Sequence, residues 1–136
     1  MITAVDTNVL LDVFSADPTH GPASRSALES GLDAGTLVVS DVVWTETASA
    51  FPTGQVAAEA LDTIGVEFVP TGRAAAGTAA GAWRAYRRAG GPRTRVVADF
   101  LIGSHALVQA DRLLTRDRGF YRRYFTDLVV VDPAAT

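Results

Sequence analysis

Near its start the chain reads Ile2–Thr3–Ala4–Val5–Asp6, a short and largely apolar run that ends in an acid. A run of this kind is expected for a strand buried on both faces of a parallel sheet. Similar runs recur along the chain, and the predicted strands are Ile2–Val5, Leu37–Ser40, Val66–Val69, Arg112–Thr115 and Leu128–Val131. The segments between them are helical in pattern. The sequence therefore predicts an α/β fold with three layers, α/β/α, in which helices cover both faces of a short central parallel sheet.

The predicted helices fill the connections between these strands. They are Asn8–Phe14, Pro22–Leu32, Val42–Ala50, Gly54–Ile64, Ala74–Ala89, Val96–Gln109 and, as a short helix or turn, Phe120–Phe125. Asp41 is the expected N-cap of the helix that starts at Val42, since Asp is favoured there. No repeat or linker interrupts the pattern, so we expect a single domain over residues 1–136.

Composition excludes several classes of protein. The 48% hydrophobic and 20% charged content is typical of a globular chain. The absence of cysteine excludes disulfides, zinc–thiolate sites and thiol catalysis. No uncharged run approaches the ~20 residues needed to span a bilayer, and the first charged residue is Asp6, so no signal peptide is expected. The predicted compartment is the cytoplasm.

The basic residues are all arginine and lie mostly in one segment. The lack of lysine excludes a P-loop NTPase in its usual form. Residues 1–83 carry a net charge of −8, whereas residues 84–123 hold ten arginines and three acids. Arginine pairs bidentately with phosphate, which suggests a polyanionic substrate, although a solvated arginine-rich surface is the plainer explanation. The arginines expected to contact such a substrate are Arg87, Arg88, Arg93, Arg95, Arg116 and Arg118.

Four acids are placed where the sheet would gather them at one edge. Asp6 closes the first strand, Glu46 lies shortly after the second, Asp99 begins the helix before the fourth, and Asp117 follows that fourth strand. Ligands of open α/β sheets bind outside the carboxyl ends of the strands. Carboxylates this close repel one another unless a cation lies between them, so without metal at least one should have a raised pKa. The pattern predicts a site for Mg²⁺ or Mn²⁺, the cations that hard oxygen ligands favour.

The motifs around these acids resemble those of the PIN-domain nucleases, and specifically the VapC-type toxins of type II toxin–antitoxin modules. The matching segments begin with Asp6–Thr7–Asn8, include Ala98–Asp99–Phe100–Leu101–Ile102–Gly103–Ser104–His105–Ala106, and end with Leu114–Thr115–Arg116–Asp117 before Phe120. They occur in the family's order and spacing, and the resemblance covers residues 2 to about 131. Gly103–Ser104 departs slightly from the alanines that are commoner there, but both residues are small, and close packing of helix against sheet is still expected.

The resemblance implies a metal-dependent single-strand ribonuclease that leaves a 3′-hydroxyl and a 5′-phosphate. Its catalytic and metal-binding acids would be Asp6, Glu46, Asp99 and Asp117, with Thr115 orienting the cluster. It also implies a Mg²⁺ or Mn²⁺ cofactor, a homodimer, and inhibition by a small cognate antitoxin protein. Its substrate would be RNA, which we expect the six arginines named above to bind at the acidic pocket or its entrance.

Several of these residues have plainer explanations. Asp6 could simply cap the helix that follows it. Asp117 could form a surface ion pair of small value with Arg116 or Arg118. His20 and His105 have no acidic or histidine neighbours at ligand spacing, and we expect them to be bystanders.

Two other functions remain open from the sequence. One is a metal-dependent phosphohydrolase of a small phosphorylated molecule, against which the long arginine-rich segment argues. The other is a non-catalytic module that binds RNA or a partner, which the presence of all four acids disfavours.

Overall fold

The protein is described by a computed structural model that covers residues 1–92 and 95–135. Within these residues, five strands alternate with seven α-helices. In chain order they are β1 (Ile2–Val5), α1 (Thr7–Phe14), α2 (Gly21–Ala34), β2 (Thr36–Val39), α3 (Asp41–Ala48), α4 (Gly54–Ile64), β3 (Val66–Phe68), α5 (Gly72–Arg88), α6 (Val97–Gln109), β4 (Arg112–Leu114), α7 (Arg118–Tyr124) and β5 (Val130–Val131). The predicted α/β class is confirmed.

The strands form one parallel sheet in the order β3-β2-β1-β4-β5. β1 is central, with Ala4 opposite Val38 on β2 and Leu113 on β4. After β1 the chain builds outward through β2 and β3, then crosses back to add β4 and β5 on the other side. The strand order therefore reverses between β1 and β4, and this is the position where open α/β sheets bind ligands at the strands' carboxyl ends.

The core consists of the apolar strand residues and the helix faces packed on them. Val5, Leu37 and Leu113 are almost completely buried, as expected for strands covered on both faces. Burial of each such side chain contributes roughly 1.5–3 kcal/mol. This packing holds the carboxyl ends of β1 and β4 side by side.

An aromatic cluster joins α5, α6 and α7 beside the sheet. Phe100 lies at its centre and contacts the rings of Tyr86, Phe120 and Phe125. Gly103 packs against the Phe125 ring, where a Cβ atom would lie only 2.6 Å from the nearest ring carbon. We predicted that a small residue here would let α6 approach the sheet. Gly103 instead makes room for the ring of Phe125, the residue that follows α7.

The helix after β2 begins one residue earlier than predicted. Ser40, not Asp41, is its N-cap, because Ser40 has extended backbone and its hydroxyl accepts a 3.1 Å hydrogen bond from Val43 N. Asp41 lies in the first turn, and its carboxylate accepts hydrogen bonds from the backbone N and the hydroxyl of Thr71. The N-cap prediction for Asp41 is wrong, and this acid instead ties α3 to the start of α5.

The last strand is shorter than predicted. Leu128 belongs to a turn, in which its backbone N donates to Phe125 O, and only Val130–Val131 forms strand. Leu128 is nevertheless buried, so its apolar character reflects burial and not strand structure. No helix in the described part of the chain is long and apolar enough to cross a membrane.

Candidate active site at the carboxyl ends of the strands

Asp6 lies at the centre of the candidate site. It follows β1 directly, and its backbone N donates to Leu114 O at 3.0 Å, which fixes it at the β1–β4 junction. Only 6% of Asp6 is exposed. One carboxylate oxygen accepts from Thr7 N at 2.7 Å, and the other accepts from the Thr115 hydroxyl at 2.8 Å. Asp6 is thus the N-cap of α1, as the plainer explanation held, and its second oxygen is also held by β4.

The environment of Asp6 raises its pKa to about 6, mainly because burial disfavours the charged carboxylate. Hydrogen bonds from Thr115 and Thr7 oppose this increase, and the negative charge of Glu46 adds to it. The prediction that one acid of the group has a raised pKa is confirmed. Its cause differs from the expected one, since burial contributes more than repulsion between carboxylates.

Glu46 projects from α3 toward the same edge. Its carboxylate accepts a 2.7 Å hydrogen bond from the Thr7 hydroxyl at the start of α1. An open cleft of about 300 Å³ separates Glu46 from Ala98, the residue before Asp99 on α6. Because Thr7 follows Asp6 directly in the chain, this hydrogen bond holds Glu46 close to Asp6.

Asp99 occupies the first turn of α6. One of its carboxylate oxygens accepts a hydrogen bond from Val96 N at 3.2 Å, so the Asp99 side chain caps the N-terminus of its own helix. Anions are favoured in a helix's first turn because of the unpaired N–H groups and the macrodipole.

Tyr121 on α7 links three of the acids. Its side chain is almost fully buried, and its phenol lies near Asp6. Burial raises the pKa of Tyr121 far above its usual range, and the charges of Asp6, Asp99 and Asp117 raise it further. The phenol therefore stays protonated and can donate to Asp6. The same interactions place these three acids around one hydroxyl group.

Asp117 is paired with an arginine that is distant in sequence. Arg95 donates to both its oxygens, at 2.5 and 3.2 Å, and the Arg95 guanidinium lies 4.2 Å from the centre of the Phe120 ring. The plainer alternative, an ion pair of Asp117 with Arg116 or Arg118, is not the one that the structure contains. Those two arginines bind Asp12 and Asp132 instead.

Thr115 connects Asp6 and Asp117. Its fully buried hydroxyl donates to Asp6 and accepts from Asp117 N at 3.0 Å and from Asn8 Nδ2 at 3.3 Å. One donor and two acceptor positions are thus all used. This geometry agrees with the orienting role expected for Thr115.

The four predicted acids therefore lie at the same edge of the sheet: Glu46 lies near Asp6, and Asp6, Asp99 and Asp117 lie near Tyr121. In the described part of the chain, no three acidic or histidine side chains stand ready to hold one metal ion together. Thr7 engages Glu46 and Arg95 engages Asp117. The donor set still fits Mg²⁺ or Mn²⁺, because it is made of hard oxygens and because Mg²⁺ often binds through one or two carboxylates and keeps several waters.

The predicted RNA-binding arginines occupy differing environments. Arg116 makes two hydrogen bonds, at 2.7 and 3.0 Å, to the buried Asp12, so it holds β4 to α1. Arg87 lies over the Trp83 ring, and Arg88 is exposed at the end of α5. Arg93 lies outside the described residues. The RNA-binding role of the whole set stays a prediction.

The two histidines have different environments. His105 is buried, its Nε2 lies 2.8 Å from Val69 O, and burial lowers its pKa. His20 precedes α2 on the surface. Neither side chain belongs to the acidic cluster.

The roles of Asn8, Tyr121 and Asp12 are not apparent from the sequence motifs. Asn8 links Asp6, Thr115 and the backbone N of Arg116, and its place in the Asp6–Thr7–Asn8 motif could have indicated this role. Tyr121 belongs to a run of aromatic residues and arginines, residues 120–125, whose sequence fits a core, a dimer contact or an RNA-stacking surface equally well. Asp12 follows no motif, and only the fold brings it to Arg116.

The comparisons identify the chain's family. The family model of the PIN domain matches residues 3–126, so the chain belongs to the PIN domain family. No curated protein matches the sequence. Solved structures with a similar fold include VapBC2 from Rickettsia felis bound to a DNA fragment from its promoter (19% identity, TM-score 0.77, 97% of this chain and 98% of that one). VapBC-1 from nontypeable Haemophilus influenzae is also similar (18%, 0.74, 98% and 99%), as is FitAcB from Neisseria gonorrhoeae (20%, 0.71, 100% and 100%).

Proposed function

We propose that the protein is a Mg²⁺- or Mn²⁺-dependent endonuclease of single-stranded RNA and the toxin of a VapC-type toxin–antitoxin pair. The observation that supports this most is the position of Asp6, Glu46, Asp99 and Asp117 at the carboxyl-end edge of a PIN-domain sheet, beside its switch point. An acidic group at that position needs a cation to offset its repulsion, and a divalent ion also provides hydrolytic chemistry.

Asp6 and Asp99 would hold the ion, with Glu46 joining directly or through water. When bound, such an ion makes hydroxide available near neutral pH and offsets charge on the departing oxygen of a phosphodiester. The Thr115 hydroxyl keeps Asp6 oriented by hydrogen bonding, and the buried Tyr121 phenol lies near the same carboxylate. Thr7 holds Glu46 at the edge of the cleft, where RNA would enter.

Protonation should regulate this site. Because its pKa is raised to about 6, Asp6 binds a proton below that pH and is then a poorer ligand for a cation. The affinity of the metal-free protein for the ion should therefore fall as the pH drops below about 6. Above that pH the carboxylate is charged and available to the ion.

The arginines would supply the substrate surface. Arg87 and Arg88 at the end of α5 are not paired with acids in the described structure, so they are free to meet phosphates. Phosphate contacts position a nucleic acid without reading its sequence. A polyanion such as RNA uses several arginines at once, whereas a small phosphorylated molecule needs few.

The proposed biological role rests on similarity of fold. The solved neighbours are named VapBC and FitAB complexes, and one is described as a toxin–antitoxin complex from Klebsiella pneumoniae. By this likeness we propose a cognate antitoxin protein as partner, a homodimer as the working form, and the cytoplasm as compartment. Sedimentation of the purified protein tests the dimer, and growth arrest on expression tests the toxin role.

The decisive experiment is cleavage of a labelled single-stranded RNA by the purified protein with Mn²⁺ or with a chelator. We expect cleavage only with metal, new 5′-phosphate ends, and loss of activity in Asp6→Asn. The matched control is Asp127→Asn, which removes the same charge from an exposed turn residue outside the site. Full activity of Asp6→Asn at saturating metal would refute the metal-ligand assignment.

Two other results would point to the alternative functions. Hydrolysis of a small phosphate ester without RNA cleavage would identify a phosphohydrolase. RNA or partner binding with no hydrolysis under any metal would identify a non-catalytic module.

A further inference from the structure

Among the residues that the structure describes, Asp117 is the one acid of the cluster that is paired with an arginine. Arg95 lies in the segment between α5 and α6, while Asp117 lies between β4 and α7. Two charge-assisted hydrogen bonds join them in a forked arrangement, which is the stronger form of an arginine–carboxylate contact. A neighbouring arginine in sequence could have paired with Asp117 more simply, but Arg116 and Arg118 turn to other acids.

Arg95 also contacts an aromatic ring. Its guanidinium lies over the ring of Phe120, which is buried in the aromatic cluster. A cation over an aromatic face is attracted by the ring quadrupole. The two contacts together restrict the side chain, so Arg95 is a fixed cation and not a freely moving surface group.

The position of this cation matters for the whole cluster. Arg95 interacts electrostatically with Asp99 as well as with Asp117 and lies near the Tyr121 hydroxyl. It therefore stands within the group of carboxylates, where it reduces their total negative charge by one. A second divalent ion on Asp117 would have to displace both of its hydrogen bonds and meet a like charge.

We propose that Arg95 is the built-in counter-ion of Asp117, so that the site takes one divalent ion, held through Asp6 and Asp99, and Asp117 stays out of its coordination. This inference rests on the proposed metal site and specifies its stoichiometry. It assigns Arg95 a positioning role that differs from the phosphate-binding role expected from the sequence. In place of a second metal ion the protein uses a guanidinium group.

The test is a titration of metal-free protein with Mn²⁺, followed by electron paramagnetic resonance or calorimetry. The variant Arg95→Gln removes the cation and leaves Asp117 unpaired. A unit charge at about 6 Å changes the affinity for a divalent ion by roughly tenfold even at the dielectric constant of water. We expect one Mn²⁺ per wild-type chain and about tenfold tighter binding, or a second ion, in Arg95→Gln.

Two further variants separate the counter-ion from a general charge effect. Arg123→Gln is the matched control, because Arg123 also lies over an aromatic ring of α7, at 5.3 Å from the centre of Tyr124, but is paired with no acid in the described structure. It should bind Mn²⁺ within about twofold of wild type. Arg95→Lys keeps the charge and should also keep the wild-type affinity. When metal is removed with a chelator, Arg95→Gln should have a lower Tm than Arg123→Gln, because Asp117 has lost its arginine partner.

Two ions per wild-type chain, or equal Mn²⁺ affinity of Arg95→Gln and Arg123→Gln, would overturn the proposal. The wild-type stoichiometry tests the same point without any substitution, should Arg95→Gln fail to fold. Failure of the proposed function would give a different result: Mn²⁺ binding would then not depend on Asp6 in any variant. Mn²⁺ binding that depends on Asp6 but not on Arg95 refutes the counter-ion alone.

Discussion

Asp6→Asn should stabilise the metal-free protein at high pH and not at low pH. The wild-type carboxylate is buried, and its pKa in the folded protein is about 6, compared with 3.8 for a free carboxyl. A raised pKa means that the unfolded state releases its proton more readily. The wild-type protein therefore loses stability as the pH rises above 3.8, and the full loss is present above about 6. Asparagine does not titrate, so Asp6→Asn does not undergo this pH-dependent loss of stability.

The size of the effect follows from the difference between these two pKa values. One pKa unit corresponds to roughly 1.4 kcal/mol, so the wild-type protein should lose about 2–3 kcal/mol between pH 4 and pH 8 relative to Asp6→Asn. The substitution also disturbs the hydrogen bond from Thr115, at a cost of about 1 kcal/mol. That cost is nearly the same at both pH values. The comparison between pH values thus isolates the charge of Asp6.

The assay is urea unfolding of both proteins at pH 4 and pH 8 in the presence of a chelator. We expect Asp6→Asn to be the more stable protein at pH 8 and equal to or slightly less stable than wild type at pH 4. A difference in unfolding free energy that does not change with pH would refute the reasoning. It would show that the Asp6 carboxylate is not destabilised by its burial.

Other substitutions test further parts of the site. Asp99→Asn should reduce cleavage by at least about 100-fold while retaining the wild-type circular dichroism spectrum, because removal of even outer-shell partners of a metal costs up to that factor; cleavage close to wild type would exclude Asp99 as a ligand. Replacing Arg87 and Arg88 by Gln should weaken binding of every single-stranded RNA and reduce the salt slope by about 0.7 per lost phosphate contact, and a changed cleavage sequence would argue instead for base reading. Asp12→Ala should lower the unfolding free energy by about 2–4 kcal/mol, since it leaves Arg116 without its partner, and equilibrium unfolding with wild-type stability would contradict a structural role for that pair.

The close agreement between predicted and observed strands has a local cause. A strand buried on both faces of a parallel sheet must be apolar along its length, so β1 and β2 were visible as short apolar runs. Helix ends were less certain. Whether Ser40 or Asp41 caps α3 depended on which side chain could reach back to the helix, and Thr71 competed for Asp41.

The placement of the four acids at one edge could also be predicted from the sequence. Parallel strands have all their carboxyl ends on one side, so an acid just after a strand has its position set by the order of elements along the chain. The same local reasoning identified Thr115 beside Asp117. It did not show which hydrogen bonds these residues make.

Only the tertiary structure decided the partners of the charges. Arg95 lies 22 residues from Asp117, and Arg116 lies 104 residues from Asp12. An arginine side chain is long and flexible, and near Asp117 the sequence offers two adjacent arginines that would serve equally well. The choice among them depends on burial and on the surrounding rings, such as Phe120 beneath Arg95. Apolar patterns are local and can be read along the chain, whereas charge pairing depends on distances in space that exist only once the chain has folded.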